Sequence, residues 1–135
     1  MLKLFKNDDL GKLILRLAVG GLILLHGVAK LRNPEGAMNF IGGKLAELGL
    51  PQFLAYGVYL GEVVGPLLAI VGLYARIGGL LMAGNMVIAI ALVHTHQLAQ
   101  LTSNGGWQLE LQGMFLFGAL AILFLGSGSM AVKRD

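Results

Sequence analysis

Polar and apolar positions are strongly segregated along this chain. Four long apolar stretches, residues 11–32, 53–75, 77–93 and 111–130, are separated by short polar segments. About 20 apolar residues at 1.5 Å rise suffice to cross a hydrocarbon core of ~30 Å. The pattern predicts an all-α polytopic integral membrane protein, a four-transmembrane-helix bundle with spans at 10–31, 53–75, 76–96 and 107–128. Residues 1–135 are read as a single membrane domain.

The connections add detail. Residues 1–12 combine Lys3, Lys6 and Lys12 with Asp8 and Asp9 and read as a short amphipathic lead-in at the membrane surface. Residues 33–52 begin with Asn33-Pro34 and end with Gly49-Leu50-Pro51. Within them Met38, Ile41, Leu45 and Leu48 recur at helical spacing, which predicts a short interfacial helix between spans 1 and 2. Gly42-Gly43 predicts a kink dividing it into two turns. In the second span Gly57, Gly61 and Gly65 form a face without side chains, suited to close helix packing within the bundle or between chains. Pro66 predicts a kink just after Glu62. Residues 98–106 form a second outer loop without positive charge, and Trp107 stands where an aromatic-belt residue anchors the fourth span.

Composition sharpens this picture. Of 135 residues, 56% are hydrophobic and 13% charged, against roughly 25% charged in soluble domains. With no cysteine, thiol exchange, thiolate-held iron–sulfur clusters and Cys-x-x-Cys-His haem attachment are excluded, so a redox role needs a bound cofactor or a partner. The net charge of +3 comes from basic residues at span ends, which is no nucleic-acid footprint. Lys3, Lys6, Lys12, Arg76, Lys133 and Arg134 fall on one side of the four spans, and Lys30, Arg32 and Lys44 on the other. That asymmetry predicts that both termini are cytoplasmic. Arg16 interrupts the first apolar run, which argues for an uncleaved span over a signal peptide.

Ionisable groups inside spans normally face a bundle interior or a wet cavity. By helical rise, Glu62 lies roughly 13 Å below the outer face, His26 roughly 6 Å, and His94 and Glu110 roughly 3 to 5 Å. Asn85 lies near the midplane. Arg16, roughly 9 Å from the inner face, and Arg76 are expected to snorkel to phosphates or pair with backbone. At ~100° per residue, Arg16, Gly20, Ile23, Gly27 and Lys30 share one stripe. The same arithmetic puts Asn85, Ala89, Leu92 and His96 on one face of the third span and His94 opposite, unless that helix loosens. His94 and His96 also suit a wet interfacial position, and Asn85 an interhelical hydrogen bond. Glu62, the deepest carboxylate, must be protonated, paired or hydrated.

The chain resembles the DoxX family of small four-helix bacterial membrane proteins. The resemblance rests on Leu15-Arg16-Leu17, His26-Gly27-x-x-Lys30-Leu31, Leu48-Gly49-Leu50-Pro51, Glu62 with Gly65, Gly72-Leu73-x-x-Arg76, Ala83-Gly84, His94, and Gly105-Gly106 with Glu110. Their order and spacing cover nearly the whole length. Of Gln108 and Glu110, Glu110 fits the carboxylate position. The family implies a cytoplasmic-membrane bundle associated with redox metabolism, with relatives tied to quinone, catechol and oxidative-stress resistance.

Three functions compete. In the first, a quinone or phenolic molecule binds in an outer-half pocket, His26 and Lys30 hydrogen-bond its oxygen, and Glu62 and Glu110 pass protons. Glu62, Glu110 and His26 are then the candidate catalytic residues. Arg16, His26, Lys30, Glu62, Asn85, His94, Trp107 and Glu110 are the candidate ligand-binding residues. The second, an iron, zinc or haem site, ranks lower because Glu-x-x-His pairs are absent. The third is a non-enzymatic subunit or small transporter packing on a partner through the glycine face. The expected partners are the lipid bilayer and either a second copy or a redox subunit.

Overall fold

A computed structural model describes residues 2–135, with the side chains of Leu2 and Leu4 outside the description, as is Met1 of the lead-in. After a 3-10 turn at Leu2–Phe5 come α1 (Asp8–Arg32), α2 (Pro34–Glu47), α3 (Gly65–Val71), α4 (Ala75–Ala89) and α5 (Glu110–Leu125). Among the described residues all the regular structure is helical apart from one isolated bridge, Leu101 to Trp107, and residues 98–109 and 126–135 are turns and irregular backbone.

Helix α1 starts at Asp8 because Asn7 caps it, its side chain accepting from the N–H of Leu10. The lead-in is therefore shorter than its sequence suggests, and Asp8 to Lys12 belong to the first span. A second Asn cap, Asn33, ends α1 and starts α2, with Pro34 in the first turn of α2. Helix α2 is continuous through Gly42-Gly43, where a kink was expected. Gly42 is buried with Gln52 beside it, so a side chain is absent where α2 rests on the next segment.

The second span runs from Gln52 to Val71 and changes helix type twice. A 3-10 segment, Gln52–Gly57, passes into a π-helical turn, Leu60–Val64, and then into α3. The kink predicted from Pro66 takes this form. A proline ring clashes with the carbonyl four residues back and cannot donate to it, and that carbonyl belongs to Glu62. The backbone widens, and the Gly65 N–H donates to Leu60 five residues back. The span ends at Val71, four residues before the expected boundary, because Gly72 and Tyr74 both take left-handed backbone (φ +75° and +51°).

Helix α4 continues through a second π-helical turn, Ile90–His94, and a 3-10 turn, Thr95–Gln97. Three helical stretches, Asp8–Arg32, Gln52–Val71 and Ala75–Gln97, are long and apolar enough to cross a membrane. The fourth, α5, has 16 residues and is ~24 Å long at 1.5 Å rise, shorter than the expected 107–128. Trp107 to Leu109 lie in turn structure before it, and Gly126 (φ +80°) ends it.

The core is a small apolar cluster at the centre of the bundle, including Val19, Ile23, Ala69, Met82, Met86, Phe115 and Ile122. Close approach comes from glycines. A Cβ on Gly27 would strike the carbonyl of Glu62, one on Gly61 would strike Asn85, and one on Gly65 would lie 3.0 Å from the Gly78 carbonyl. Two of the three glycines of the second-span face are thus used inside the bundle, and Gly57 is open. Outward-facing Ile14, Leu25, Leu67, Leu80, Ile88 and Phe117 are all about half exposed or more. That coat suits lipid rather than water.

The end of the bundle near both termini is closed by arginines. Arg16 is 1% exposed, and its guanidinium donates to the carbonyls of Ala69 (2.8 Å), Ser127 and Met130 (3.1 Å). Arg76 donates to Leu123, Phe124 and Asp135. Both arginines pair with backbone, one of the two arrangements expected from sequence. Residues 126–135 are tied down by them and by Val132 and Lys133, whose N–H groups donate to Val71 and Gly72.

Candidate functional site

At the opposite end of the bundle, Glu62 is 4% exposed although its side chain ends in a carboxyl group. The π-helical turn directs its side chain between α1 and α4. Lys30 Nζ lies 2.5 Å from Glu62 Oε1, and Asn85 Nδ2 donates to Oε2 at 2.9 Å. Both carboxylate oxygens are therefore engaged, one by a cation from α1 and one by an amide from α4. Such satisfaction is what a buried carboxylate requires. Tyr59 fixes the backbone beside the lysine, its hydroxyl donating to the Lys30 carbonyl at 3.2 Å.

Two cavities meet at this cluster. The smaller, about 140 Å³, is lined by His26, Lys30, Glu62, His94, Gln112 and Phe115 with Ile23, Met86, Ala89 and Leu111. The larger, about 690 Å³, lies between α2 and the second and third spans and shares Lys30, Glu62, Ala89 and His94 with the first. His26 stacks edge-on against Phe115, with centroids 5.6 Å apart. Its Nδ1 is 3.0 Å from the Leu22 carbonyl. A carbonyl only accepts, so Nδ1 donates to it and Nε2 is the ring nitrogen left without that bond. His94 Nδ1 is held 2.8 Å from Gln97 Oε1.

The expected site residues divide into two groups. His26, Lys30, Glu62, Asn85 and His94 converge on one or both cavities. Arg16 lies at the other end, occupied by backbone carbonyls. Glu110 is exposed in the first turn of α5, its carboxylate beside Gly106. The inward face of α5 runs through Leu109, Gly113 and Phe115, and Glu110 lies off it, so Gln112 supplies the polar group from this helix. Trp107 donates from its indole N–H to the Leu98 carbonyl (2.8 Å) and packs on Gly113, which fastens the second loop onto α5.

Helical phase sets His94 opposite Asn85 unless the third span loosens, and the structure shows that it does. His94, not His96, lines the cavities beside Ala89, and His96 is exposed. The π-helical turn Ile90–His94 holds more residues per turn than an α-helix, which carries His94 round to the face of Asn85 and Ala89. The polar groups missed from sequence are Gln112 and Tyr59. Gln112 follows Glu110 by two residues and carries no charge to draw notice, and Tyr59 acts only through a backbone carbonyl. Among the described residues no three His, Asp or Glu side chains converge as a metal site requires.

Comparison with known proteins agrees with this architecture. The DoxX family matches residues 11–95. A Bacillus subtilis (strain 168) protein named "Putative oxidoreductase CatD" is 36% identical over 88 residues, 65% of this chain and 63% of that protein. The chain thus spans less than two thirds of that relative's length. An uncharacterized protein of Haemophilus influenzae is 34% identical over 123 residues, 89% of this chain and 86% of the other. No solved structure matches. With more than half of its length matched, and with apolar helices long enough for a bilayer, the chain is a helical membrane protein that belongs to the DoxX family.

Proposed function

We propose that this protein binds a quinone or a related phenolic molecule at the Lys30–Glu62–Asn85 cluster and supports quinone-linked oxidoreduction in the bacterial cytoplasmic membrane. In this reading α5 completes a fourth crossing and α2 lies at the outer interface. Both termini are cytoplasmic, which the distribution of Lys and Arg supports. The observation that carries the reading is a buried carboxylate, paired with a lysine and an amide, at the junction of a small cavity of mixed lining and a large, mostly apolar one. Ligand sites in proteins are mostly apolar with a few converging polar groups, and this junction has that composition. The name of the Bacillus subtilis relative supports a redox setting.

The chemistry asked of the side chains is modest. Lys30 donates to a carbonyl or phenolate oxygen. Glu62 accepts and returns protons, and His26 Nε2 and His94 connect it to the smaller cavity. Interconversion of a quinone and its quinol moves two electrons and two protons. The protein holds the ring and handles the protons, and a partner oxidoreductase supplies or takes the electrons. Glu62→Gln keeps the shape and removes the proton carrier. Quinol-linked oxygen uptake by membranes, and catechol tolerance of cells, should fall at least about tenfold. Unchanged values would remove Glu62 from the proton path.

A further inference from the structure

The larger cavity has a shape that the Lys30–Glu62–Asn85 cluster alone does not explain. Helix α2 lines one side with Ile41, Lys44 and Leu45, and the facing walls are Leu54, Gly57 and Leu60 from the second span and Leu80, Gly84 and Ile88 from α4. The four large residues of the facing walls are each roughly half exposed, so the groove opens sideways, toward lipid. Its deep end holds Lys30, Glu62, Asn85 and His94. Apart from Lys44 on α2, the polar groups therefore gather at the buried Glu62 end and the walls leading outward from it are apolar.

Gly57 and Gly84 stand apart from the other glycines of these two spans. Gly61, Gly65, Gly78 and Gly79 each face a neighbour that a Cβ would crowd, and Gly72 needs its positive φ. Gly57 and Gly84 have no atom within 4 Å of a Cβ position, and neither has a positive φ. Helix packing and backbone conformation do not call for glycine there, although glycine costs a helix about 1 kcal/mol relative to alanine. What both positions do is keep the groove open.

We propose that this groove is the lateral access path and tail site for a quinone-type molecule bearing an isoprenoid or alkyl chain. The ring oxygen meets Lys30 and the chain runs between the second span and α4 into the bilayer. The proposal rests on the ring-binding reading above and names the substrate class: membrane-dissolved and tailed, rather than a small water-soluble phenol. Volume points the same way. The smaller cavity, about 140 Å³, lies below the roughly 300–1,000 Å³ usual for ligand pockets, and the groove, about 690 Å³, falls within that range. A phospholipid chain fits less well, because its methyl end would abut the charged floor while its head stayed at the interface.

The test uses full-length protein in phosphatidylcholine nanodiscs and two photoactivatable azidobenzoquinones, one with a ten-carbon tail and one without. The expected result is saturable labelling of the Leu54–Leu60 and Leu80–Ile88 segments by the tailed probe, displaced by excess unlabelled tailed quinone. Gly84→Leu, which fills the groove, should weaken the tailed probe about tenfold or more and the tail-less probe less than about twofold. Gly84→Ala should give an intermediate loss, and Gly21→Leu, at an open position outside the groove, none. Wild-type affinity of both variants at position 84 for the tailed probe, or labelling that excess quinone does not displace, overturns the tail site and leaves the ring site standing. If neither probe binds wild-type protein saturably, the ring-binding reading fails and the tail site with it.

Discussion

Replacing Lys30 by Met keeps an unbranched apolar stem and removes the ammonium that faces Glu62. At 2.5 Å and an effective dielectric of ~20, the lost attraction is about 6–7 kcal/mol before solvation. Desolvation of a carboxylate whose side chain is 6% exposed offsets several kcal/mol of this, and water reaches the lysine side chain, which is 28% exposed. A net coupling of about 2–3 kcal/mol remains. The measurement is a double-mutant cycle of Lys30→Met, Glu62→Gln and the pair, unfolded reversibly in mixed detergent micelles and followed by circular dichroism. Lys30→Met alone should destabilise by more than the double variant does, because it strands a charge that Glu62→Gln removes. A coupling below about 0.5 kcal/mol would mean the two groups are solvated separately and that no buried pair exists.

Further outcomes follow from the packing. Gly27→Ala forces α1 away from the Glu62 backbone, which cannot rotate aside, and should cost about 2–4 kcal/mol, whereas Gly21→Ala, with nothing within 4 Å, should be neutral or stabilising in the same assay. Arg16→Lys cannot reproduce a planar fork onto carbonyls of Ala69, Ser127 and Met130, so amides of residues 126–135 should lose hydrogen-exchange protection at least about tenfold while Glu62 stays paired. Burial opposes ionisation of Asp135, yet N–H groups of Arg76 and Ser127 and the Arg76 charge hold its carboxyl below the ordinary range. A depressed carboxyl contributes stability above its unfolded value that is lost as pH falls through the folded one. Docking of residues 126–135, read by proteolysis, should therefore be constant from neutral pH to about pH 5 and weaken only in stronger acid.

Hydropathy made the helical stretches legible, because a run such as 77–93 has no charge to place in lipid and no alternative to helix there. Pro66 made the irregularity beside Glu62 legible, although not its form as a π-helical turn. The second such turn, Ile90–His94, has no proline or glycine within it. A wheel drawn at 100° per residue therefore fails beyond Ala89 and leaves open which histidine faces the bundle. Helix starts were harder still. Two residues decide whether Glu110 or Gln112 faces inward, and the turn at Trp107 to Leu109 that sets this depends on a hydrogen bond to Leu98. For Arg16 the sequence leaves phosphate snorkelling, backbone pairing and ligand binding open, because its carbonyl partners Ser127 and Met130 are more than 100 residues away, beyond any local pattern.

The central claim is that the Lys30–Glu62–Asn85 cluster receives the oxygen of a quinone. Infrared difference spectra of a carbonyl-labelled benzoquinone bound to the purified protein test it most directly. A carbonyl band shifted from its position in empty nanodiscs, and restored to that position by Lys30→Met, is the predicted result; a band identical in nanodiscs with and without the wild-type protein would contradict the account.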